Sequence, residues 1–236
     1  EMRELKRGVL RLGTTKTYAR YFMPFLLTRF HQTYSDILIH LDEGSSQAMV
    51  QSLIDFKNEI VIIAKITSYP GVRFIPLSRE GIVVIAHPEH PLAKKTEISA
   101  EELARQRIIM KEGGSGTRHL IDELFVRANQ TPNIVMETSN TEFIKLEVQR
   151  GEGIAFLVES AVVLELEQGI LTSLPIHDQT LFLDVSIAYL EDQQLSPPAR
   201  AFLETLTNLG GSDIPALGIG ALMAKIRAHR GGLKAA

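Results

Sequence analysis

The chain has 236 residues, enough for one large domain or two small ones, and 44% of them are hydrophobic, so it can bury a substantial core. It contains no cysteine, which excludes disulfides, thiolate metal sites and a cysteine nucleophile. The formal net charge of −3 gives no general electrostatic footprint for nucleic acid, and no apolar run is long enough to suggest a membrane span.

Hydrophobic periodicity predicts alternating strands and helices in the first part of the chain. In order, it predicts a strand at 9–13, a helix at 17–32, a strand at 37–41, a helix through Met49 and Ile54, and strands at 60–63, 74–75 and 82–85. Pro24 falls inside the first helical pattern and predicts a kink or a restart there. The run at 60–63 is continuously apolar, which is typical of a strand buried on both faces.

The same alternation continues in the rest of the chain, where helix starts carry capping signals. In order, we expect a short helix capped by Ser99 and Glu102, a strand at 108–110, a helix through Leu120 and Phe125, a strand at 134–136, a helix capped by Ser139 and Glu142, a strand at 154–158, a helix at 160–167, strands at 170–174 and 182–190, and a helix opened by Ser196 and Pro197. Alternation of this kind predicts an α/β protein with parallel sheets. Because the strand–turn–helix pattern occurs twice, from residues 9 and 107, the expected fold is two doubly wound subdomains with an interdomain cleft.

Four turns join a predicted strand to a predicted helix start and are rich in hydroxyl or amide side chains. They are Thr14-Thr15-Lys16-Thr17, Gly44-Ser45-Ser46, residues 113–118 (the GGSGTR turn) and Ser139-Asn140-Thr141. Helix N-termini favour a negative or strongly polar ligand, so these turns could converge on a small anion or carboxylate in the cleft. Such residues are also ordinary helix caps, so plain capping is the alternative at each turn. The GGSGTR turn adds three glycines and Arg118, whose guanidinium can bind a carboxylate bidentately.

The residues that would support catalysis or metal binding do not form a recognisable pattern. No two of the seven histidines have His-x-x-x-His spacing, and His87 and His90 lie in a proline-containing loop where solvation is the alternative to a metal site. There is no Gly-x-Ser-x-Gly elbow, and the GGSGTR turn lacks the ending of a Walker motif. We therefore predict no catalytic residues, no metal ion and no cofactor, and a site that binds without turnover.

Several segments together resemble one family, the LysR-type transcriptional regulators. They are RGVLRLGTTKTYARYFMPFLLTRFHQTY, EGSSQAMVQSLIDFKNEIVIIA, HPEHPLA and RGEGIAFLVESAV, which occur in the family's order within residues 1–209. TTKTYARYFMP is most similar to the sulfur-assimilation branch, whereas KEGGSGTR resembles a form found in other branches, including carbon-fixation regulators. The two segments point to different branches of the family, so the identity of the effector stays open.

The resemblance implies a domain organisation. Family members have an N-terminal winged helix-turn-helix, a linker helix and an effector-binding region of two subdomains with the type II periplasmic-binding-protein-like fold. Residues 1–7 resemble the end of the linker helix, residues 8–79 with 189–211 the effector-binding subdomain I, and residues 80–188 the effector-binding subdomain II. Residues 212–236 are a C-terminal extension of unknown role, and the chain shows no helix-turn-helix.

The resemblance also implies effector contacts in the four turns. They fall on the hydroxyl-bearing residues Thr15, Thr17, Ser45, Ser46, Ser115, Thr117, Ser139 and Thr141. It further implies that sensory domains pair antiparallel as a homodimer, or assemble as a tetramer. Phe25 lies outside the apolar stripe of its helix, so we expect it at the twofold contact.

The leading hypothesis is a cytoplasmic effector-sensing and oligomerisation domain of a bacterial LysR-type regulator. It would bind a small anionic metabolite or an inorganic anion to control DNA binding, with DNA contacted only through a helix-turn-helix absent from this chain, and with no membrane partner. A periplasmic solute-binding protein is the alternative, because it would share the fold and the cleft. The charged residues 1–7, which lack the apolar stretch of a signal peptide, favour the regulator. The third hypothesis is an enzyme, and it ranks below the other two because no nucleophile–base pair and no metal-ligand spacing emerges from the sequence.

Overall fold

The computed structural model describes residues 7–176 and 181–210. Residues 1–6 of the predicted linker-helix end, and the whole predicted extension at 212–236, lie outside the described residues. The described chain divides into two compact units, one of residues 7–79 with 184–210 and the other of residues 80–176 with 181–183. The chain passes from one unit to the other within two long strands, β4 (Val72–Ala86) and β9 (Leu181–Leu190).

The first unit is a β-sheet with helices packed on it. Besides part of β4 and β9, its elements are β1 (Gly8–Thr15), α1 (Lys16–Tyr21), α2 (Met23–Thr33), β2 (Ile37–Gly44), α3 (Ser46–Ile54), β3 (Ile60–Ala64) and α8 (Pro197–Gly210). The strands of its sheet come in the order β2-β1-β3-β9. Strand β1 runs parallel to β2 and β3, and β9 runs antiparallel to β3. The helix restarts at Phe22, with Pro24 in the first turn of α2, as the sequence predicted.

Helices cover both faces of this sheet, as the alternation of side chains along β3 shows. Ile60 and Ile62 belong to a buried cluster with apolar residues of α1, α2 and α8, and Val61 and Ile63 belong to a second cluster with residues of α3. Successive side chains of a strand point to opposite faces, so a strand buried on both faces is apolar throughout. The prediction for residues 60–63 is therefore confirmed.

Phe25 in α2 has a contact that the sequence did not predict. Its side chain is half-buried and packs against the cluster that contains Phe22, Leu26 and Phe30. Contacts within its own unit therefore account for part of its apolar surface, and a role for Phe25 in dimerisation stays a prediction.

The second unit is also a β-sheet with helices. Besides part of β4, its elements are α4 (Ala100–Ala104), β5 (Ile108–Lys111), α5 (Gly116–Arg127), β6 (Ile134–Thr138), α6 (Thr141–Gln149), β7 (Ile154–Val158), α7 (Val163–Glu167) and β8 (Thr172–Leu174). The strands of its sheet come in the order β4-β7-β5-β6, with β8 beside β4. Strand β5 is parallel to β6 and β7, whereas β4 is antiparallel to β7 and β8. In its core, Phe125 packs edge-to-face on Phe156 with ring centroids 6.0 Å apart.

Some sequence predictions are confirmed and others are wrong. Ser99 and Glu102 form the predicted capping box, and the Ser196 hydroxyl accepts from the amide of Ala199 at the start of α8. The two strands expected at 74–75 and 82–85 are one strand. The prediction of parallel sheets is wrong in both units, because β9 is antiparallel to β3 in the first and β4 is antiparallel to β7 and β8 in the second. The cap of α6 is Asn140 instead of Ser139, because the Asn140 side chain accepts from the amides of Glu142 and Phe143 in the first turn of that helix.

Candidate functional site

The turns after β1 and β2 lie side by side in the first unit. The two strands are parallel, and their register pairs Thr15 with Gly44, the residue before Ser45. Thr15 is the N-cap of α1, its Oγ1 accepting from the amide of Tyr18 at 3.3 Å, and Ser45 is the N-cap of α3, its Oγ accepting from the amide of Ala48 at 3.1 Å. Plain capping is thus present at both turns.

Capping leaves these two hydroxyls with their O–H donors. A serine or threonine hydroxyl has one donor and two acceptor lone pairs, and a cap uses one lone pair. Thr15 and Ser45 can therefore still donate to a ligand while they cap α1 and α3. A ligand rich in acceptor atoms, such as an anion, matches this arrangement.

Ser46, the first residue of α3, has a different environment. Its residue surface is 1% exposed, and within the part of the chain that the structure describes no group hydrogen-bonds to its Oγ. A buried hydroxyl without a partner is costly, so such a group invites a functional explanation. Thr17, the remaining predicted residue of this unit, is the second residue of α1 and is half-buried.

The turns after β5 and β6 form an equivalent pair in the second unit. These strands are parallel, and Lys111 at the end of β5 lies opposite Thr138 at the end of β6. Ser115 is the N-cap of α5, yet among the described residues its side chain makes no capping hydrogen bond. Ser115, Thr117 and Thr141 are buried, and Ser139 is half-buried.

Lys111 is a residue at these turns that the sequence analysis missed. It is 6% exposed, and its Nζ donates to the backbone oxygen of Ser139 at 2.7 Å and to Thr141 Oγ1 at 3.2 Å. It thereby links the end of β5 to the start of α6. The available signal was a lysine that directly follows the apolar run at 108–110.

The GGSGTR turn is held by carboxylates of the protein itself. Arg118 Nε donates to both carboxylate oxygens of Asp122 at 2.8 Å, and Nη1 donates to Glu137 Oε2 at 2.5 Å and to the backbone oxygen of Lys111 at 3.3 Å. Glu137 Oε1 also accepts from the amide of Gly113 at 3.4 Å. The hydrogen bond from Arg118 holds the pKa of Glu137 below its usual value. The carboxylate that the sequence led us to expect on Arg118 is therefore supplied within the chain.

The two histidines weighed as metal ligands have local structural roles. His87 Nδ1 accepts from the amide of Glu89, and His90 Nδ1 accepts from the amide of Leu92 at the start of a 3-10 turn, Pro91–Lys94. Burial, with a smaller contribution from His87, lowers the pKa of His90. Within residues 7–176 and 181–210, no group of three or more His, Asp or Glu side chains could hold a metal ion, and no helix is long and apolar enough to span a membrane.

Comparison with known proteins decides the family. The family model of the LysR substrate binding domain matches residues 3–210. The chain belongs to this family. The LysR substrate binding domain thus accounts for both units of the fold and for all four turns.

Individual relatives agree with this assignment. The HTH-type transcriptional activator CmpR of Synechocystis sp. is 35% identical over 206 residues, which are 87% of this chain and 67% of CmpR. The Synechocystis PCC6803 CcmR regulatory domain, solved in complex with 2-PG, has a TM-score of 0.79 and 30% identity over 87% of this chain and 98% of that one. The effector binding domain of QuiR in complex with shikimate has a TM-score of 0.78 and 25% identity over 87% of this chain and 98% of that one.

These likenesses establish the fold and the functional class. The chain has the type II periplasmic-binding-protein-like fold of LysR effector-binding domains, as the family resemblance implied. It is an effector-sensing domain of a LysR-type regulator, and the periplasmic solute-binding alternative is not favoured. The chain spans about two thirds of the length of CmpR.

Proposed function

We propose that this LysR domain binds a small anionic effector, and that α3 of the first unit provides a central part of the site. The observation that carries the proposal is Ser46, whose buried hydroxyl has no hydrogen-bond partner within the described residues. It stands at the N-terminus of a nine-residue helix, where backbone N–H groups favour negative charge. Thr15 and Ser45 add hydroxyls that can donate while they cap their own helices.

We further propose that the other residues implied by the family resemblance contribute contacts. In the first unit these include Thr17. In the second unit they are Ser115, Thr117, Ser139 and Thr141, with Lys111 positioning the last two. In this proposal the two units of the fold act as the effector-binding subdomains I and II.

The effector class can be tested by calorimetric titration of the chain with 2-PG, shikimate and inorganic sulfate. The first two compounds were chosen because the CcmR and QuiR domains were solved with them. We expect at least one of the three to bind, and Ser46→Ala to weaken that binding by about tenfold or more, since a hydrogen bond to a charged group contributes about 1.5–3 kcal/mol. Unchanged affinity in Ser46→Ala would place the site elsewhere.

A stability measurement on the same variant makes the test sharper. Without ligand, Ser46→Ala removes a buried hydroxyl that has no partner in the described structure, so it should leave the free energy of unfolding unchanged or raise it. Weaker binding together with undiminished stability separates a ligand contact from a structural role. Ser35→Ala is the matched control, because Ser35 is exposed and bonds only weakly to Asp36, and it should alter neither quantity.

For the whole protein, we propose a transcriptional regulator that acts in the cytoplasm, without enzymatic activity, as a homodimer or tetramer. Its DNA contacts would come from a helix-turn-helix outside this chain. The support is membership of the LysR family and the likeness to the activator CmpR. Sedimentation velocity across a range of concentrations tests the assembly, and a chain that stays monomeric at high micromolar concentration would contradict it.

A further inference from the structure

The GGSGTR turn contains two hydrogen-bond donors suited to an anion, and both donate to the same carboxylate of the protein. The amide of Gly113 and the guanidinium of Arg118 both donate to the carboxylate of Glu137, at 3.4 Å and 2.5 Å. Glu137 belongs to β6 and lies 19 residues beyond Arg118 in sequence, so strand pairing brings it to the turn. A backbone amide and a guanidinium that converge on one carboxylate match the way proteins bind small oxyanions.

The environment of these groups allows an external anion to compete. The Glu137 side chain is 49% exposed, Gly113 is exposed, and the space at the Cβ position of Gly113 is open. Gly114 adopts a positive φ of 77°, a conformation that glycine takes readily and that shapes this turn. Asp122 binds Arg118 through Nε, whereas Glu137 binds through Nη1. Removal of Glu137 alone would therefore leave Arg118 anchored by Asp122 and by the backbone oxygen of Lys111, and would free the Nη1 N–H that Glu137 now accepts from.

We propose that Glu137 is an internal ligand of the GGSGTR turn, which occupies the Gly113 amide and the Arg118 guanidinium and excludes external oxyanions from them. With Asp122 and Glu137 present, the cluster around Arg118 carries a net negative charge. An external anion then meets both an occupied binding group and electrostatic repulsion. Glu137 is thus a specificity-determining residue of the proposed effector function, because it keeps anionic groups off the Gly113 amide and the Arg118 guanidinium and leaves Ser115 and Thr117 as the effector contacts of this turn.

The test is to remove the internal ligand and look for a new site. Glu137→Ala should bind inorganic sulfate at the turn about tenfold or more tightly than the wild-type chain, because sulfate can then accept the charge-assisted hydrogen bonds that Glu137 accepts now. Sulfate is titrated at constant ionic strength while the amide ¹H–¹⁵N resonance of Gly113 is followed. The amide of Ala48, in the first turn of α3, is followed in the same spectra and reports separately on the proposed effector site of the first unit.

Three further variants make the result decisive. Glu123→Ala removes one exposed carboxylate of the same unit without touching the turn, and it should not raise the sulfate affinity measured at Gly113. Glu137→Ala combined with Arg118→Gln should lose the increase in sulfate affinity that Glu137→Ala alone produces. Glu137→Gln keeps the volume and one acceptor without the charge, so it should show a smaller gain, and it replaces the alanine variant if that one does not fold.

Three results would overturn the proposal: no gain at Gly113 in a folded Glu137 variant, equal sulfate binding at Gly113 in the wild-type chain, or a gain that persists without Arg118. The role of Glu137 in effector selection rests on the proposed function, whereas its role as an internal ligand of the turn does not. If Ala48 fails to respond to sulfate while Gly113 of the alanine variant responds, the turn is an anion site and the first-unit site is wrong for sulfate. Failure of the proposal for Glu137, read at Gly113, is therefore distinguishable from failure of the proposed effector site, read at Ala48.

Discussion

Glu59 accepts two hydrogen bonds from Ser196, one from the amide at 2.8 Å and one from the hydroxyl at 3.0 Å. The two residues are 137 positions apart, and the Ser196 hydroxyl in turn caps α8 by accepting from the amide of Ala199. A single carboxylate therefore ties the late helix α8 to the start of β3.

Replacement of Glu59 by alanine should destabilise the first unit. A hydrogen bond to a charged, half-buried group contributes about 1.5–3 kcal/mol, and two are lost together, so we expect the free energy of unfolding to fall by at least about 2 kcal/mol. Urea denaturation followed by circular dichroism measures it. Glu89→Ala removes an exposed glutamate and should change stability by less than about 0.5 kcal/mol. Equal effects of the two substitutions would contradict the role of Glu59.

The Thr141 hydroxyl should stabilise the second unit through Lys111. Thr141→Val keeps the shape of the side chain but removes the oxygen that accepts from the buried Lys111 Nζ, so we expect a loss of about 1–3 kcal/mol. Thr141→Ser keeps the hydroxyl and loses one methyl, which should cost about 1 kcal/mol or less. Chemical denaturation of both variants is the measurement, and a serine variant as unstable as the valine variant would show that the hydroxyl is not the cause.

Phe56 should be replaceable by glycine with a gain in stability. It adopts a left-handed conformation with φ of 56°, and the residue is 67% exposed, so little apolar burial offsets the backbone strain. Left-handed backbone costs a residue with a Cβ roughly 1–2 kcal/mol, part of which the greater freedom of glycine in the unfolded chain cancels. We expect Phe56→Gly to add about 1 kcal/mol or less, measured by thermal unfolding. Asn129→Gly, at a φ of 52°, should add less because asparagine tolerates this conformation.

The capping box of α4 should make stability depend on pH in acid. Hydrogen bonds from Lys95 and from the Ser99 amide lower the pKa of Glu102 from 4.5 to about 2. Because the pKa is lower in the folded chain, the stabilisation from Glu102 is present above about pH 4.5 and is lost as the pH falls towards about 2. Glu102→Gln should therefore lower the melting temperature at pH 7, and the difference from wild type should shrink between pH 4.5 and 2.

A neighbouring glutamate is the control for this pH effect. Glu101→Gln removes a carboxylate from the same helical turn but leaves the Ser99–Glu102 capping box intact. The difference in melting temperature between Glu101→Gln and the wild-type chain should change less across the same pH range. A parallel pH dependence in both variants would mean that general charge, and not the capping box, is responsible.

Local features of this protein were predictable from its sequence. Periodicity identified the buried strand at 60–63, and Ser99 with Glu102 identified a helix start, because both signals lie within a few residues of chain. The hydroxyl-rich turns and the quoted segments were also sufficient to indicate the LysR family and its fold. At Ser139, the same local rule selected the wrong residue, because Asn140 competes for the cap of α6.

The partners of the charged side chains were decided only by the tertiary structure. Arg118 was expected to face an effector, yet strand β6 places Glu137 against it, and β5 and β6 together bring Lys111 to Thr141. Which charges and hydroxyls meet depends on strand pairing and register, since residues 19, 30 or 137 positions apart come together only after the sheets form. The element types and the family follow from local sequence. Which side chains of the protein bind Arg118 and Lys111 at the candidate site depends on contacts that exist only in the folded chain.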